Sequence, residues 1–204
     1  MRKRYKLISK LHCMIDIFYF YNQDRSPRKS MICSLPKGEI KVFDMCTGIA
    51  TNAIFVAKSN PQATVIGVDV SRDMLRIAQR RIDKEHLGNV QLHRMDATKT
   101  SYESESFDVV IISFVLHELN DKYATKIVKE AKRIVKQEGV IVVIEWERPK
   151  KILQKIKFRI LHLFEPEEFR EFIMYDLQQY LSNHGLQIKK RIHCDYSQVL
   201  LLHK

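Results

Sequence analysis

Apolar and polar positions along this chain follow two periods that take turns. Residues 63–69, Phe107–Ser113 and 140–144 are short continuous apolar runs rich in Val and Ile, and residues 40–44 and 90–93 are shorter runs of the same kind. Runs this apolar read as strands buried on both faces. Between them the spacing changes to i, i+3, i+4. Residues 51–59 read as a helix. Ser71 stands as the N-cap of a second helix that places Met74, Leu75, Ala78 and Ile82 on one face. A third, over residues 121–137, buries Ala124, Ile127, Val128, Ala131, Ile134 and Val135 and is ended by Gly139. Strand and helix in alternation predict an α/β fold with a doubly wound, mostly parallel sheet.

The end of the chain breaks the rhythm. Residues 187–192 and Ser197–His203 are two strands separated by a few residues, too few for a parallel crossover, so they predict a C-terminal hairpin and an antiparallel last strand. The expected organisation is one domain over 1–204. It comprises an N-terminal helical region (1–37), a ligand-binding core (38–147), a helical insertion (148–185) and the hairpin (186–204). Two hundred and four residues suffice for one domain with a full core.

Composition narrows the function classes only a little. Lys and Arg number 35 against 24 Asp and Glu, a net charge of +11. Such a balance is compatible with nucleic acid, an anionic membrane surface, acidic small molecules or simply a basic soluble surface. Cys13, Cys33, Cys46 and Cys194 form no C-x-x-C pair, which argues against a zinc site or a redox dithiol and points to a cytoplasmic setting. The basic residues 2–4 precede an apolar stretch, but His12 and Asp16 interrupt it and no small-residue cleavage site follows, so it reads as an amphipathic helix rather than a signal peptide. No apolar run approaches the ~20 residues that span a bilayer.

Ligands of open α/β sheets bind beyond the carboxyl ends of the strands. The first strand runs into Asp44-Met45-Cys46-Thr47-Gly48-Ile49-Ala50-Thr51, where small residues at 46, 48 and 50 allow a sharp turn and close backbone approach. The second strand ends at Asp69, spaced to accept hydrogen bonds from ribose hydroxyls. A nicotinamide dinucleotide would call for G-x-G-x-x-G around its pyrophosphate, and a phosphate loop for G-K-[ST]; neither is present. A nucleoside without phosphates suits this loop better.

These residues carry a resemblance. VFDMCTGIA at 42–50 resembles motif I of class I methyltransferases, and its C-T-G core is similar to the variant in the menaquinone and ubiquinone C-methyltransferase group. VIGVDVSRDML at 65–75 resembles the family's second strand with Asp69 as the ribose-binding acid, and RMDA at 94–97 its adenine-contacting segment, with Asp96 as the acid that reads the amino group. FDVVIISFVLHEL at 107–119 resembles the fourth strand and the loop after it. The resemblance implies a Rossmann-like fold and S-adenosyl-L-methionine as cofactor. It implies a site made by Asp44, Cys46, Thr47, Gly48, Ala50, Thr51, Asp69, Val70, Met74, Asp96, Ala97 and Ser113. Cys46 and Ala50 stand where the family usually has glycine, and alanine at 50 is accommodated if its backbone avoids positive φ.

Methyl transfer from a sulfonium is a direct displacement, so a base is needed only where the acceptor must lose a proton. His117, at the rim of the fourth strand, is the candidate for that role, with Glu118 and Ser113 behind it; packing or holding the loop backbone is the competing role. Acceptor choice should come from two places. One is the aromatic N-terminal stretch with Phe18, Tyr19, Phe20 and Tyr21. The other is the insertion, where Ile152, Ile156, Ile160, Leu163 and Phe164 lie among Lys150, Lys151, Lys155, Lys157 and Arg159. A basic amphipathic helix of this kind lies on an anionic membrane, covers an apolar pocket, or is an ordinary surface helix. The expected partner is a small apolar or aromatic acceptor, quinone- or lipid-like, with peripheral contact to an anionic membrane as a further option. Methylation of RNA or protein is the alternative within the same class. Ser113-Phe114-Val115-Leu116 stands where amino-methylating nucleic-acid enzymes carry N-P-P-Y or D-P-P-Y, which disfavours one form of it. A cofactor-binding protein without turnover and a nucleic-acid-binding α/β module complete the alternatives.

Overall fold

The computed structural model describes residues 26–149, 151, 152, 154, 155, 158 and 167–204. The aromatic stretch at 18–21 and most of the basic segment 150–164 lie outside the described residues. Contacts group the chain into two compact units, Met1–Thr100 and Ser101–Lys204.

In the first unit, helix α1 (Pro27–Ile32) precedes strand β1 (Lys41–Met45), helix α2 (Thr51–Ser59), strand β2 (Thr64–Asp69), helix α3 (Arg72–Lys84) and strand β3 (Val90–Arg94). β2 pairs in parallel with β1 on one side, Asp44 facing Gly67, and with β3 on the other, Asp69 facing Arg94. Val42, Phe43, Val65 and Val68 are fully buried, as are Ala53 of α2 and Ala78 of α3. Each large apolar side chain so buried stabilises by roughly 1.5–3 kcal/mol. Ser71 caps α3 as its sequence predicts, its Oγ accepting from the Met74 N–H at 3.3 Å.

The second unit runs through strand β4 (Phe107–Ser113), a 3-10 turn (Leu116–Glu118), helix α4 (Asp121–Ile134), strand β5 (Val135–Trp146), helices α5 (Glu167–Met174) and α6 (Leu177–Asn183), and strands β6 (Gln187–Cys194) and β7 (Ser197–His203). β4 and β5 are parallel, and β7 lies antiparallel between β5 and β6. Val109 to Ile112 and Ile141 to Ile144 are all at 0% exposure, which is why their sequences lack a polar face. The fold class is therefore the expected one: α/β, Rossmann-like, mostly parallel, with an antiparallel last strand.

One boundary differs from the sequence reading. α4 ends at Ile134 rather than at Gln137, and Val135 leaves in an extended conformation (φ −71°, ψ 141°) to pair with Phe107. Between that pair and Val109↔Val140 the ladder bulges. Gly139 is required there for space, since a Cβ would come within 2.9 Å of the Asp108 carbonyl oxygen. The i, i+3, i+4 pattern extended through Val135 only because a buried strand residue directly follows a buried helix face. No helix among the described residues is long and apolar enough to cross a membrane.

Candidate functional site

β1 delivers Asp44 to the start of the loop, and the loop is held from three sides. The Thr47 N–H donates to the Val68 carbonyl at 2.9 Å and the Ala50 N–H to the Thr47 carbonyl at 2.8 Å. The Gly48 N–H donates to Asp69 Oδ2 at 2.9 Å, while Asp69 Oδ1 accepts the Ser71 N–H at 2.8 Å. Asp69 thus latches the loop to the end of β2 with one oxygen and opens α3 with the other. Arg81, on α3, donates to the Ile49 carbonyl at 2.6 Å and to Thr51 Oγ1 at 2.9 Å. Sequence reasoning passed over Arg81; its signal was a cation on the helix face that follows the ribose-type acid.

The loop takes the left-handed conformation at every second residue: Cys46 at φ 54°, Gly48 at 55° and Ala50 at 59°. The expectation that Ala50 avoids positive φ is therefore corrected. The hydrogen bonds of the loop dictate the glycine conformation, and the alanine methyl is carried into it, with its residue at 0% exposure. A left-handed L-residue costs about 1–2 kcal/mol, against about 0.8 kcal/mol for the buried methyl. Ala50→Gly is accordingly expected to leave stability unchanged or raise it by up to ~1 kcal/mol. An alanine of ordinary φ inside a helix would lose about 0.8–1 kcal/mol on the same change. Chemical denaturation reads the difference, and a loss of more than ~1 kcal/mol would contradict the conformation at 50.

Asp44 is 1% exposed. Burial pushes its carboxyl from 3.8 up to about 6, opposed by the hydrogen bond from the Thr47 hydroxyl and by its neighbours Ala53 and Asn52, with the Asp69 charge adding a smaller push upward. Its Oδ2 accepts the Thr47 hydroxyl at 2.5 Å; its Oδ1 has no hydrogen-bond partner among the described residues. A buried carboxylate with one oxygen unsatisfied, under a loop of left-handed residues, fits a cationic ligand group, and the Asp69 oxygens retain lone pairs for hydroxyls. The residues present therefore fit a nucleoside with a cationic amino-acid part. Further along the same unit, Val70 is exposed at 61% and Ala97 is buried. Met74 is half-buried. Asp96 Oδ1 accepts the Thr98 N–H at 2.8 Å, the geometry of a turn residue.

The second unit holds Ser113 at the end of β4 and His117 in the 3-10 turn. His117 is 3% exposed, and its Nδ1 lies 2.8 Å from Glu145 Oε2. Trp146, Phe169 and Phe172 surround its ring edge-on, at centroid distances of 6.4, 5.5 and 6.0 Å. Glu145, fully buried, also accepts the N–H groups of Val115 (2.9 Å), Leu116 (2.7 Å) and Trp146 (3.2 Å). It fastens the turn after β4 to the end of β5. Sequence reasoning missed Glu145, although a lone acid inside the apolar run from Val140 to Trp146 was its visible sign. Phe158 is buried against Trp146, Phe169 and Tyr196, while Ile152 is 76% exposed.

Comparison with known proteins agrees with this geometry. Residues 42–139 match the family model described as a methyltransferase domain. The chain is 34% identical over 131 residues to a demethylmenaquinone methyltransferase of Staphylococcus saprophyticus, covering 63% of this chain and 54% of that protein. It is 31% identical over 163 residues to a demethylmenaquinone methyltransferase of Geobacillus sp., covering 79% and 66%. The chain thus spans between about half and two thirds of the length of these curated relatives. Among solved structures, a SAM-dependent methyltransferase from Aquifex aeolicus shares the fold with a TM-score of 0.75 over 97% of both chains, at 19% identity. S-adenosyl-L-methionine is the cofactor that family and fold imply. The chain belongs to the class I S-adenosylmethionine-dependent methyltransferases.

Proposed function

We propose that the chain transfers a methyl group from S-adenosylmethionine to a small apolar or aromatic acceptor of quinone-like chemistry. The observation that carries the transfer is the Asp44–Asp69 loop: an orphaned buried carboxylate oxygen and a latched carboxylate on either side of three left-handed residues. The acceptor class is supported by the rings of Phe114, Trp146, Phe158, Phe169 and Phe172 in the second unit and by the names of the two relatives.

When bound, the cofactor supplies an electrophilic methyl carbon on a sulfonium that departs as a neutral thioether. The protein's own part is alignment and exclusion of water. Asp69 holds the ribose hydroxyls, and Asp44 faces the cationic amino-acid end across Cys46, Thr47, Gly48, Ala50 and Thr51. Val70, Met74 and Ala97 would pack the adenine, whose amino group Asp96 would read; Ser113 stands at the end of β4. Where the acceptor loses a proton, His117 takes it. Its Nδ1–H is held by Glu145, which makes Nε2 the basic nitrogen.

Calorimetric titration with S-adenosylmethionine and S-adenosylhomocysteine, with NADH as control, tests the cofactor. Micromolar binding of both sulfur ligands and none of NADH is expected. Asp69→Ala removes charge-assisted hydrogen bonds worth ~1.5–3 kcal/mol each, so its affinity should fall at least about tenfold. Undiminished binding by that variant would show Asp69 misassigned. Mass spectrometry of reduced naphthoquinones and phenols incubated with the cofactor tests transfer, and absence of methylated product from all of them overturns the activity.

A further inference from the structure

The polar side of the hairpin carries a site that the cofactor does not use. Paired residues on antiparallel neighbours share a face of the sheet, and Gln198 pairs with Glu145 on β5 and with His193 on β6. Glu147 and Arg191, each two residues along, fall on that same face. They meet there: Glu147 Oε1 accepts from Arg191 Nη2 at 2.9 Å, and Glu147 Oε2 lies 2.7 Å from His193 Nδ1. Glu147, Arg191 and Gln198 line a half-open cavity of about 280 Å³, whose other walls are partly apolar (Trp146, Phe172, Leu177) and partly charged (Arg148, Asp176).

Two polar atoms in that wall are unsatisfied. Arg191 Nε, a donor, and Gln198 Oε1, an acceptor, are both buried and have no hydrogen-bond partner among the described residues. Gln198 as a whole is 6% exposed. A buried polar atom left unpaired is costly, and natural structures seldom keep two together without something to satisfy them. The missing pair has a definite chemistry. One group that both accepts from N–H and donates to C=O is a hydroxyl, and the Trp146, Phe172 and Leu177 side of the wall favours a ring to carry it. The volume lies just under the ~300 Å³ at which pockets for drug-sized ligands begin, which limits the occupant to about one or two rings. A second cavity of about 220 Å³, lined by Leu116, Leu119, Ala124 and Tyr180, shares Phe172, Tyr175 and Leu177 with the first. It offers an apolar continuation beside the polar one.

We propose that this cavity seats the hydroxyl-bearing ring of the acceptor, with Arg191 Nε–H donating to the ring oxygen and Gln198 Oε1 accepting its O–H. The apolar cavity beside it takes the ring's substituent. The assignment as acceptor rests on the methyl-transfer reading above, whereas recognition of the hydroxyl does not. Arg191 and Gln198 thereby become specificity-determining residues, selecting phenolic over alkoxylated rings.

Trp146 is the single tryptophan of the chain, so its indole N–H gives one resolved reporter at the cavity wall in a proton–nitrogen correlation spectrum. The full chain is titrated with 2-naphthol and, separately, with 2-methoxynaphthalene, which has the same ring but no donor. A saturable shift of the Trp146 signal is expected with 2-naphthol, with at least tenfold weaker binding of the methoxy compound. Gln198→Met should abolish the preference while leaving S-adenosylhomocysteine binding, read by calorimetry, unchanged. No shift with 2-naphthol, equal affinity for the two compounds, or a preference that survives in Gln198→Met would each overturn the proposal. The comparison of the two compounds on the unaltered chain needs no variant to fold. In the unaltered chain, absence of S-adenosylhomocysteine binding together with the naphthol preference would instead count against the cofactor reading alone.

Discussion

Replacing Glu145 with alanine is expected to destabilise the protein by about 3–5 kcal/mol, the range for removing one partner from a buried charged network. The side chain is at 0% exposure and its carboxylate is the acceptor for the Val115, Leu116 and Trp146 N–H groups and for His117 Nδ1. Alanine removes the carboxylate that serves three main-chain donors and an imidazole, in a place shut away from water. Because folded domains are stable by only about 5–15 kcal/mol, a loss of this size moves the urea midpoint far toward zero. Glu145→Gln keeps the shape and one carbonyl oxygen and should fall between the two. Equilibrium unfolding of the three proteins orders them, and an alanine variant as stable as the parent would mean that the turn after β4 is held elsewhere.

Asp44→Asn should act in the opposite direction. Burial raises the Asp44 carboxyl from 3.8 to about 6, so the folded protein prefers the neutral form. The sign follows from linkage. The contribution of Asp44 to stability is fully present below the unfolded value, is lost as pH rises through about 6, and amounts across that window to about 3 kcal/mol at 1.36 kcal/mol per unit. Asparagine is neutral at every pH, so it should raise stability at pH 7–8 by up to that amount and flatten the dependence between pH 4 and 6. On the proposed assignment of Asp44 to the cationic end of the cofactor, the same substitution should also weaken binding of S-adenosylmethionine. For the parent, affinity should accordingly rise as pH increases through about 6. Thermal melts and titrations at a series of pH values read both effects. A variant less stable than the parent at pH 8 would show Asp44 to be stabilising as a charge.

Much of this was legible in the sequence, for a local reason. The strands Phe107–Ser113 and Ser197–His203 and the helix Thr51–Ser59 have the bounds read from apolar periodicity alone, since a two-residue or 3.6-residue period is written in neighbouring residues. The Ser71 cap and the C-terminal hairpin were equally local. Asp44, Gly48 and Asp69 could be placed together because a nucleoside loop and its acid have a fixed spacing in a strand–helix–strand unit. The end of α4 was misjudged because Val135 satisfies both periods, and its pairing with Phe107 decides between them.

The rest was settled by partners distant along the chain. That Asp69 latches Gly48, 21 residues away, is a property of β1 and β2 lying side by side. Glu145 finds three of its four donors 28 to 30 residues earlier, where the turn after β4 arrives, and Arg191, Gln198 and Glu147 share a face only because β7 runs antiparallel between β5 and β6. By itself the sequence determined the order of strands and helices, the loop and the acids that frame it, since these depend on period and spacing. The tertiary structure alone decided the left-handed backbone at Cys46 and Ala50 and the raised Asp44 carboxyl. It also decided which buried polar atoms have partners. Each of these depends on what long-range packing brings within hydrogen-bond reach or shuts away from water.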